Sequence, residues 1–474
     1  MKVEQIYTQC LAQGAYYIES AGEAAIIDPL REVQPYLDLA TNRGVKIKYV
    51  FETHFHADFV SGHQDLARET GAPIIFGPTE TETGFDRVHG KDGQIFPLGN
   101  VSLTLLHTPG HTMESSCYLL KDESGKPTAL FTGDTLFIGD VGRPDLAQKV
   151  AADLTQEKLA AMLFHSLRNK IMPLPDDVVV YPAHGAGSAC GKNMSKETSD
   201  TLGNQKKTNY ALRADMTEEE FVREVLTGLV APPSYFPENV LLNIRGYDTI
   251  DEVIRRGVRP IRLADFQSLM AKDDILILDT RHPDEFVQGF IPGSVNIGLQ
   301  GTFAVWVGTL IQDIRQPILL VTQPGTEVEV VTRLARVGYD NAIGFLEGGI
   351  EAWKQAALPL DTIPTITATQ FAEQGKTNPR MQILDVRKKS EYDAEHVVGA
   401  ENIPLDFIHS RLREVPSGDN TYVHCAGGYR SVIFCSILKK NGNHQLINVA
   451  GGFKAIKESG AFPVTEYVCP TTLL

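Results

Sequence analysis

Thr53-His54-Phe55-His56-Ala57-Asp58-Phe59 sets two histidines two residues apart and an aspartate two further on, with His63 just beyond. Three side chains able to ligate a metal therefore crowd into five residues. The preceding stretch, residues 45–51, alternates apolar and polar positions and reads as a half-buried strand. A turn at a strand's end lets rigid backbone aim side chains into a cleft. A surface turn that is merely rich in histidine is the competing reading, and the rest of the chain has to decide between them.

Working outward, the same device recurs. Residues 101–106 lead into His107-Thr108-Pro109-Gly110-His111, residues 129–133 end at Asp134, and residues 178–183 end at His184. Four strand ends thus deliver His or Asp, which is how a metal cleft is assembled on a sheet scaffold. Between them, residues 24–27 form a buried strand stopped by Pro29, residues 64–70 form a helix closed by Gly71, and residues 72–76 begin another strand. His107 reads as a packed or loop-bonding residue; His89, His165, His282 and His396 have no clustered partners.

A length of 474 residues exceeds one hydrophobic core and suggests about three domains. Hydrophobic residues make up 42% and charged residues 22%, as in ordinary globular chains. The net charge of -15 argues against nucleic acid and against an anionic membrane surface. There is no long apolar run, and Met1-Lys2-Val3-Glu4-Gln5-Ile6 lacks a signal core, so a cytoplasmic protein is expected. Six scattered cysteines form no disulfide framework and fit a reducing compartment.

Residues 192–245 are polar and helix-prone, broken at Ala231-Pro232-Pro233, so the first domain is placed at 1–245. The remainder of the chain repeats itself. Leu278-Asp279-Thr280-Arg281 returns as Leu384-Asp385-Val386-Arg387, and Glu285, Gly293 and Asn296 return as Glu391, Gly399 and Asn402, all at an offset of 106. Two small α/β domains are expected, at 256–360 and 364–474.

The second repeat carries His424-Cys425-Ala426-Gly427-Gly428-Tyr429-Arg430-Ser431 between a strand and a helix. Glycines let successive N–H groups curl inward, and with the helix dipole they stabilise a thiolate or persulfide at Cys425; Arg430 adds charge at the rim. With Asp385, Arg387 and Gly451-Gly452 this resembles the rhodanese family, whose loop cysteine carries a sulfane sulfur. A Cys-x5-Arg loop also occurs in tyrosine phosphatases, and an inert core cysteine is the bland alternative. In the first repeat Thr322 falls at the cysteine and Glu327 at the arginine, and no cysteine occurs between Cys190 and Cys425. That repeat is expected to be a pseudo-rhodanese, a spacer and assembly surface. Cys435 is expected to pack in the core, and Cys10, Cys117 and Cys469 have no supporting context.

The order His54, His56, Asp58, His111, Asp134, His184 resembles the metallo-β-lactamase superfamily, which implies an αββα sandwich with metal at one edge. Its hydrolases of the glyoxalase II type usually continue Asp-His, that histidine binding a second metal. Here Phe59 stands in its place. A phenyl ring donates no lone pair, so a second metal would keep only Asp58 and His184 as terminal ligands. The one-iron branch, the persulfide dioxygenases, implies Fe(II), one per chain, on His54, His111 and Asp134, with open positions for oxygen and substrate. His56, Asp58 and His184 would then orient ligands or water, or tune the site only weakly. Gly142-Arg143-Pro144-Asp145 also resembles that branch; Arg143 is expected to pair with Asp145 or another carboxylate and hold the loop, a solvent salt bridge being the alternative. Cys190, on a Gly-rich loop like that of rhodanese-fused members, is either a gating or sulfur-carrying thiol favoured by Lys192 or a buried inert one.

Joined, the two resemblances imply a persulfide dioxygenase–rhodanese fusion: an α/β chain with an N-terminal αββα sandwich and two rhodanese-like domains with parallel sheets. Its implied substrates are a small thiol persulfide (glutathione or another low-molecular-weight thiol), O2 and sulfite, and a homo-oligomer is implied. Two rivals stand beside it: a two-metal thioester hydrolase with a sulfurtransferase tail, and a non-enzymatic sulfur-binding scaffold.

Overall fold

The computed structural model describes residues 1–146, 154–378, 380–416 and 420–468, so Cys469 lies outside the described residues. The chain divides into two compact units, Met1–Ile250 with Leu334–Gly338, and Asp251–Arg333 with Tyr339–Leu474.

Strand alternation builds the first unit. Lys2–Thr8, Gln13–Ser20 and Glu23–Ile27 pair antiparallel, and Lys46–Phe51, Ile74–Phe76 and Val88–His89 extend the sheet in parallel. Along Gln13–Ser20, Tyr16 and Ile18 enter a core with Phe51 and Ile75 from their own sheet and Leu103, Leu120 and Phe131 from the second. Ala15 and Tyr17 point the other way, onto Tyr36, Ala40 and Leu66 of helices Gln34–Arg43 and His63–Thr70. The second sheet takes Ile95–Leu98, Val101–His107, Ser116–Lys121, Pro127–Gly133, Val179–Pro182 and Asp200–Thr201 as successive neighbours. Its outer face, through Leu119, Leu130 and Val180, packs on Leu163 of helix Gln156–Ser166 and Phe221 of helix Glu218–Leu226. Helix, sheet, sheet and helix therefore stack as four layers, each fully buried large apolar side chain contributing roughly 1.5–3 kcal/mol.

Asp200–Thr201 was not legible in the polar 192–245 stretch; it adds an edge to Val179–Pro182 before helix Leu202–Thr208. Gly71 closes helix His63–Thr70 in the left-handed conformation at φ 70°, as the sequence suggests.

The second unit holds two five-stranded sheets, both wholly parallel. In each, the strands lie in the order first, fifth, fourth, second, third. Leu276–Asp279 and Ile318–Val321 are buried throughout, as strands of parallel sheets must be. Among the described residues, no helix is long and apolar enough to cross a membrane.

Candidate metal centre and cysteine loop

Lys46–Phe51 ends at the histidine turn, and Asp28 clamps that turn from the neighbouring strand's end. Its carboxylate accepts the Thr53 N–H and the Thr53 hydroxyl, both at 2.8 Å. With its proton committed to Asp28, Thr53 Oγ1 accepts from His54 Nδ1, 3.0 Å away, which leaves the lone pair on His54 Nε2. His111 is oriented the same way, since its Nδ1 meets the Arg143 carbonyl at 2.8 Å. The free Nε2 atoms of His54 and His111 lie 3.9 and 3.4 Å from Asp134 Oδ2. All three residues are buried, and neither oxygen of Asp134 has a hydrogen-bond partner.

A buried carboxylate without a partner is costly unless a cation sits beside it. Burial, reinforced by His56, His111 and His184, pushes the His54 imidazole well below its ordinary value, so it stays neutral as a ligand must. These residues fit a metal ion.

His184 Nε2 lies 3.5 Å from Asp134 Oδ1 and 3.4 Å from Asp58 Oδ2. Asp58 Oδ1 and His184 Nε2 are also unpartnered, and the Cys190 thiol falls in one group with Asp134 and His184. Phe59 is fully buried with its ring 4.4 Å from that of His56. His56 Nε2 stands 3.2 Å from Asp28 and 3.4 Å from Glu52, close but not aligned for hydrogen bonds. Burial opposes charge on His56, but Asp28 and Glu52 outweigh it and hold this imidazole well above its ordinary value. Burial pushes neighbouring His63 down to about 3.

Arg143 ties the walls together. Its guanidinium grips Asp145 through two 2.7 Å bonds and donates to the Val230 carbonyl at 2.6 Å, while its N–H reaches the Cys190 carbonyl at 3.0 Å. Only 4% of it is exposed, which rules out the solvent salt bridge. The expected help of Lys192 to a Cys190 thiolate needs correction. Lys192 directs Nζ to the carbonyls of Glu224 and Thr227, at 2.6 and 2.9 Å, and so does not favour a thiolate. Burial, then the carboxylates of Asp58 and Asp134, push the Cys190 thiol well up; a cation beside it would act in the opposite sense. Sequence reasoning gave Asp140 no role. It is fully buried and accepts the N–H groups of Lys192 and Asn193, each at 2.6 Å, and the Tyr210 hydroxyl at 3.0 Å, so it sets the Cys190 loop. Its signal was an acid inside a Gly-x-x-Gly turn, Gly139 to Gly142.

A cavity of about 400 Å³ opens beside His111, lined by Phe55, Met113, Leu146, Val240 and Ile244 with Glu114 among them. His107 bonds the Met113 carbonyl at 2.9 Å, the loop-bonding role expected of it.

In the second unit, Cys425 lies between strand Thr421–His424 and helix Tyr429–Lys440 and is 1% exposed. Gly428, at φ 106°, donates its N–H to Cys425 Sγ at 3.1 Å. Arg430 does not stand free at the rim: both its Nη atoms bond Glu391, at 2.6 and 2.8 Å. Asp385 and Arg387 are buried against each other, and Asp279 and Arg281 make the same pair in the repeat without a cysteine. That pair braces a strand end in both repeats. Cys435 is fully buried on the helix, as expected.

Registers align the repeats: Asp279 pairs with Val321 and Asp385 with His424, so Thr322 takes the place of Cys425. There Glu327 turns into its own loop and accepts the Thr322 hydroxyl and the Gly325 N–H, both at 3.2 Å. The repeats also touch: Tyr429 donates to the Gly298 carbonyl at 2.7 Å, and the Asn296 N–H to Ser436 Oγ at 3.0 Å. A Cβ on Gly452 would stand 2.3 Å from the Cys425 carbonyl oxygen, whereas one on Gly349 would stand 3.3 Å from that of Thr322.

Residues 9–184 match the metallo-beta-lactamase superfamily, and residues 263–356 and 367–459 match the rhodanese-like domain. Hydroxyacylglutathione hydrolases from Rhizobium johnstonii and Rhizobium etli are each 37% identical over 166 residues, 34% of this chain and 57% of theirs. The chain thus spans little more than half the length of these relatives. A metallo-beta-lactamase structure from Staphylococcus aureus subsp. aureus COL is 31% identical at a TM-score of 0.62, covering 73% of this chain and 98% of that one. The structure of ETHE1 from Myxococcus xanthus is 26% identical at a TM-score of 0.43, covering 51% of this chain and 98% of that one. The chain belongs to the metallo-beta-lactamase superfamily and carries two rhodanese-like domains after its metallo-beta-lactamase domain.

Proposed function

We propose that this chain oxidises a low-molecular-weight thiol persulfide with O2 to sulfite and thiol, and that Cys425 then passes a sulfane sulfur to sulfite, forming thiosulfate. The observation that carries the reading is Phe59. It stands where the two-metal hydrolases place a ligand, and it leaves two histidines and one carboxylate, His54, His111 and Asp134, converging beside a cavity. These three residues would hold iron(II), and bound there it would supply the activation of oxygen.

The first step balances as one persulfide, one O2 and one water giving one thiol, one sulfite and two protons; the sulfane sulfur loses four electrons and O2 takes them up. The protein's part is placement. Thr53 and the Arg143 carbonyl hold His54 and His111 with Nε2 facing inward. The apolar cavity wall excludes water from the organic part of the substrate. His56, Asp58 and His184 form a second buried group whose donor atoms lie close enough together to hold a metal ion, and in this reading they orient a ligand or a water molecule instead. In the second step a second thiol persulfide loads Cys425, its outer sulfur passing to Sγ as the thiol leaves; the sulfite lone pair then attacks that outer sulfur, the bond to Sγ breaks, and Cys425 leaves as a thiolate bonded by the Gly428 N–H. A reducing cytoplasm suits a cysteine that must return to the thiol, and sulfide detoxification is the role such chemistry serves.

A thioester hydrolase is the second reading, favoured by the identity to the hydroxyacylglutathione hydrolases and by Asp58 Oδ1 and His184 Nε2, which make no hydrogen bond. Metal analysis of the purified chain, with oxygen uptake on adding glutathione persulfide, separates the two. About one iron per chain and oxygen consumption that yields thiosulfate are expected. About two zinc ions and no uptake overturn the proposal.

A further inference from the structure

We infer that Glu391 sets which sulfur acceptors Cys425 serves, by holding Arg430 away from incoming anions. The inference rests on the sulfur-transfer reading of Cys425. Arg430 is the cation one loop-length from the thiol, and in an unencumbered loop it would greet a dianion such as sulfite. Here both its Nη atoms are bonded to the two oxygens of Glu391, a paired fork at 2.6 and 2.8 Å. Glu391 is itself fixed, because Oε2 also accepts the Lys388 N–H that begins helix Lys389–Ala394. The side chains of Arg430 and Glu391 are 16% and 35% exposed, so the pair lies at the mouth and not beneath it.

A sulfite ion approaching the Cys425 persulfide therefore meets a neutral pair whose carboxylate is the more exposed partner, with Asp406 and Lys388 close by. To use Arg430 it must displace Glu391, at a cost that grows with the acceptor's negative charge. A neutral acceptor has no such competition. Glu391 touches neither the thiol nor the transferred sulfur. It acts through Arg430, as a specificity residue. The cysteine-free repeat shows the arrangement without its cation: Glu285 matches Glu391, and Glu327 takes the place of Arg430.

The transfer step leaves charge and electrons balanced. Persulfide anion and sulfite dianion become thiolate and thiosulfate dianion, so acceptor charge enters through binding and appears in KM rather than in stoichiometry.

The test uses the full chain and its Glu391→Gln variant, whose amide oxygen still caps the Lys388 N–H. KM and kcat are measured without oxygen for sulfite and for two acceptors that are uncharged in solution near neutral pH and lose a proton on reaction, hydrogen cyanide and dithiothreitol, with glutathione persulfide as the sulfur donor. The expected result is a sulfite KM lowered about 3- to 10-fold, with the KM for neutral acceptors shifted less than twofold. Glu391→Asp, which keeps the charge but shortens the reach, is expected to fall between. An unchanged ratio of sulfite to neutral-acceptor KM overturns the inference, as does an equal change for all three acceptors. A parental chain that transfers no sulfur to any acceptor overturns the reading of Cys425 and this inference with it.

Discussion

The two repeats of the second unit share strand order, pairing register and a buried Asp-Arg pair, and part company after the fourth strand. In one, Cys425 Sγ accepts the N–H of Gly428; in the other, the Glu327 carboxylate takes the N–H of Gly325 and the hydroxyl of Thr322. The same backbone cradle thus holds a sulfur in one copy and the protein's own carboxylate in the other. The scaffold is indifferent to chemistry, and the loop decides it.

The largest effect that could break this contrast is at the thiol. Cys425→Ser is expected to lower thiosulfate formation from persulfide and sulfite by at least about a thousandfold, while Thr322→Ala changes it less than twofold. Comparable losses from both would mean that the middle repeat takes part. Next come the shared supports. Asp385→Ala and Asp279→Ala each leave a buried guanidinium unpaired and should each cost about 3–5 kcal/mol. Denaturation midpoints check this, and a large effect in the cysteine repeat alone would assign the pair to chemistry after all.

A subtler contrast lies inside the loop. Thr322→Cys is expected to remain free of bound sulfur because Glu327 fills the cradle, and Thr322→Cys with Glu327→Gln to take it up. Intact mass after exposure to thiosulfate in a Cys425→Ser background reads the difference directly. The smallest effect concerns pH. Burial raises the Glu391 carboxyl, but the bonds from Arg430 and the Lys388 N–H outweigh it and hold it below its ordinary value. A depressed folded value means stability that is present above the ordinary carboxylate range and lost as pH falls through the folded one. Being a third exposed, the pair should account for under about 1 kcal/mol. Acid titration of stability should therefore run slightly flatter in Glu391→Gln.

Some features were written plainly in the chain. Strands that end in His or Asp announce a cleft, because period-two burial fixes where each strand stops and what its next residue faces. The offset of 106 announced the repeats, and the missing cysteine announced the difference between them. What stayed hidden were side-chain directions set by distant partners. Lys192 is two residues from Cys190, yet its ammonium is captured by carbonyls at the end of helix Glu218–Leu226. Arg430 looked free because Glu391, its partner, lies 39 residues upstream. Asp140 drew no role from the sequence because the Lys192 and Asn193 N–H groups come to it from another loop. Proximity along the chain is a poor guide wherever a long side chain can choose between a neighbour and a backbone carbonyl across the fold.

Gly452 and Gly349 occupy matching turns, at the same φ of 58°. Yet the first faces the Cys425 carbonyl with room for no carbon at all, and the second faces Thr322 with a shortfall of only a few tenths of an ångström. Duplicating a domain copies its strands and helices, but not the tolerance around them. In the working copy a single methyl group would shove the thiol's own peptide out of line; in the silent copy it would be a nuisance of backbone strain. The repeat without a cysteine thus has more room at this turn, where a larger residue would leave the Cys425 peptide in place.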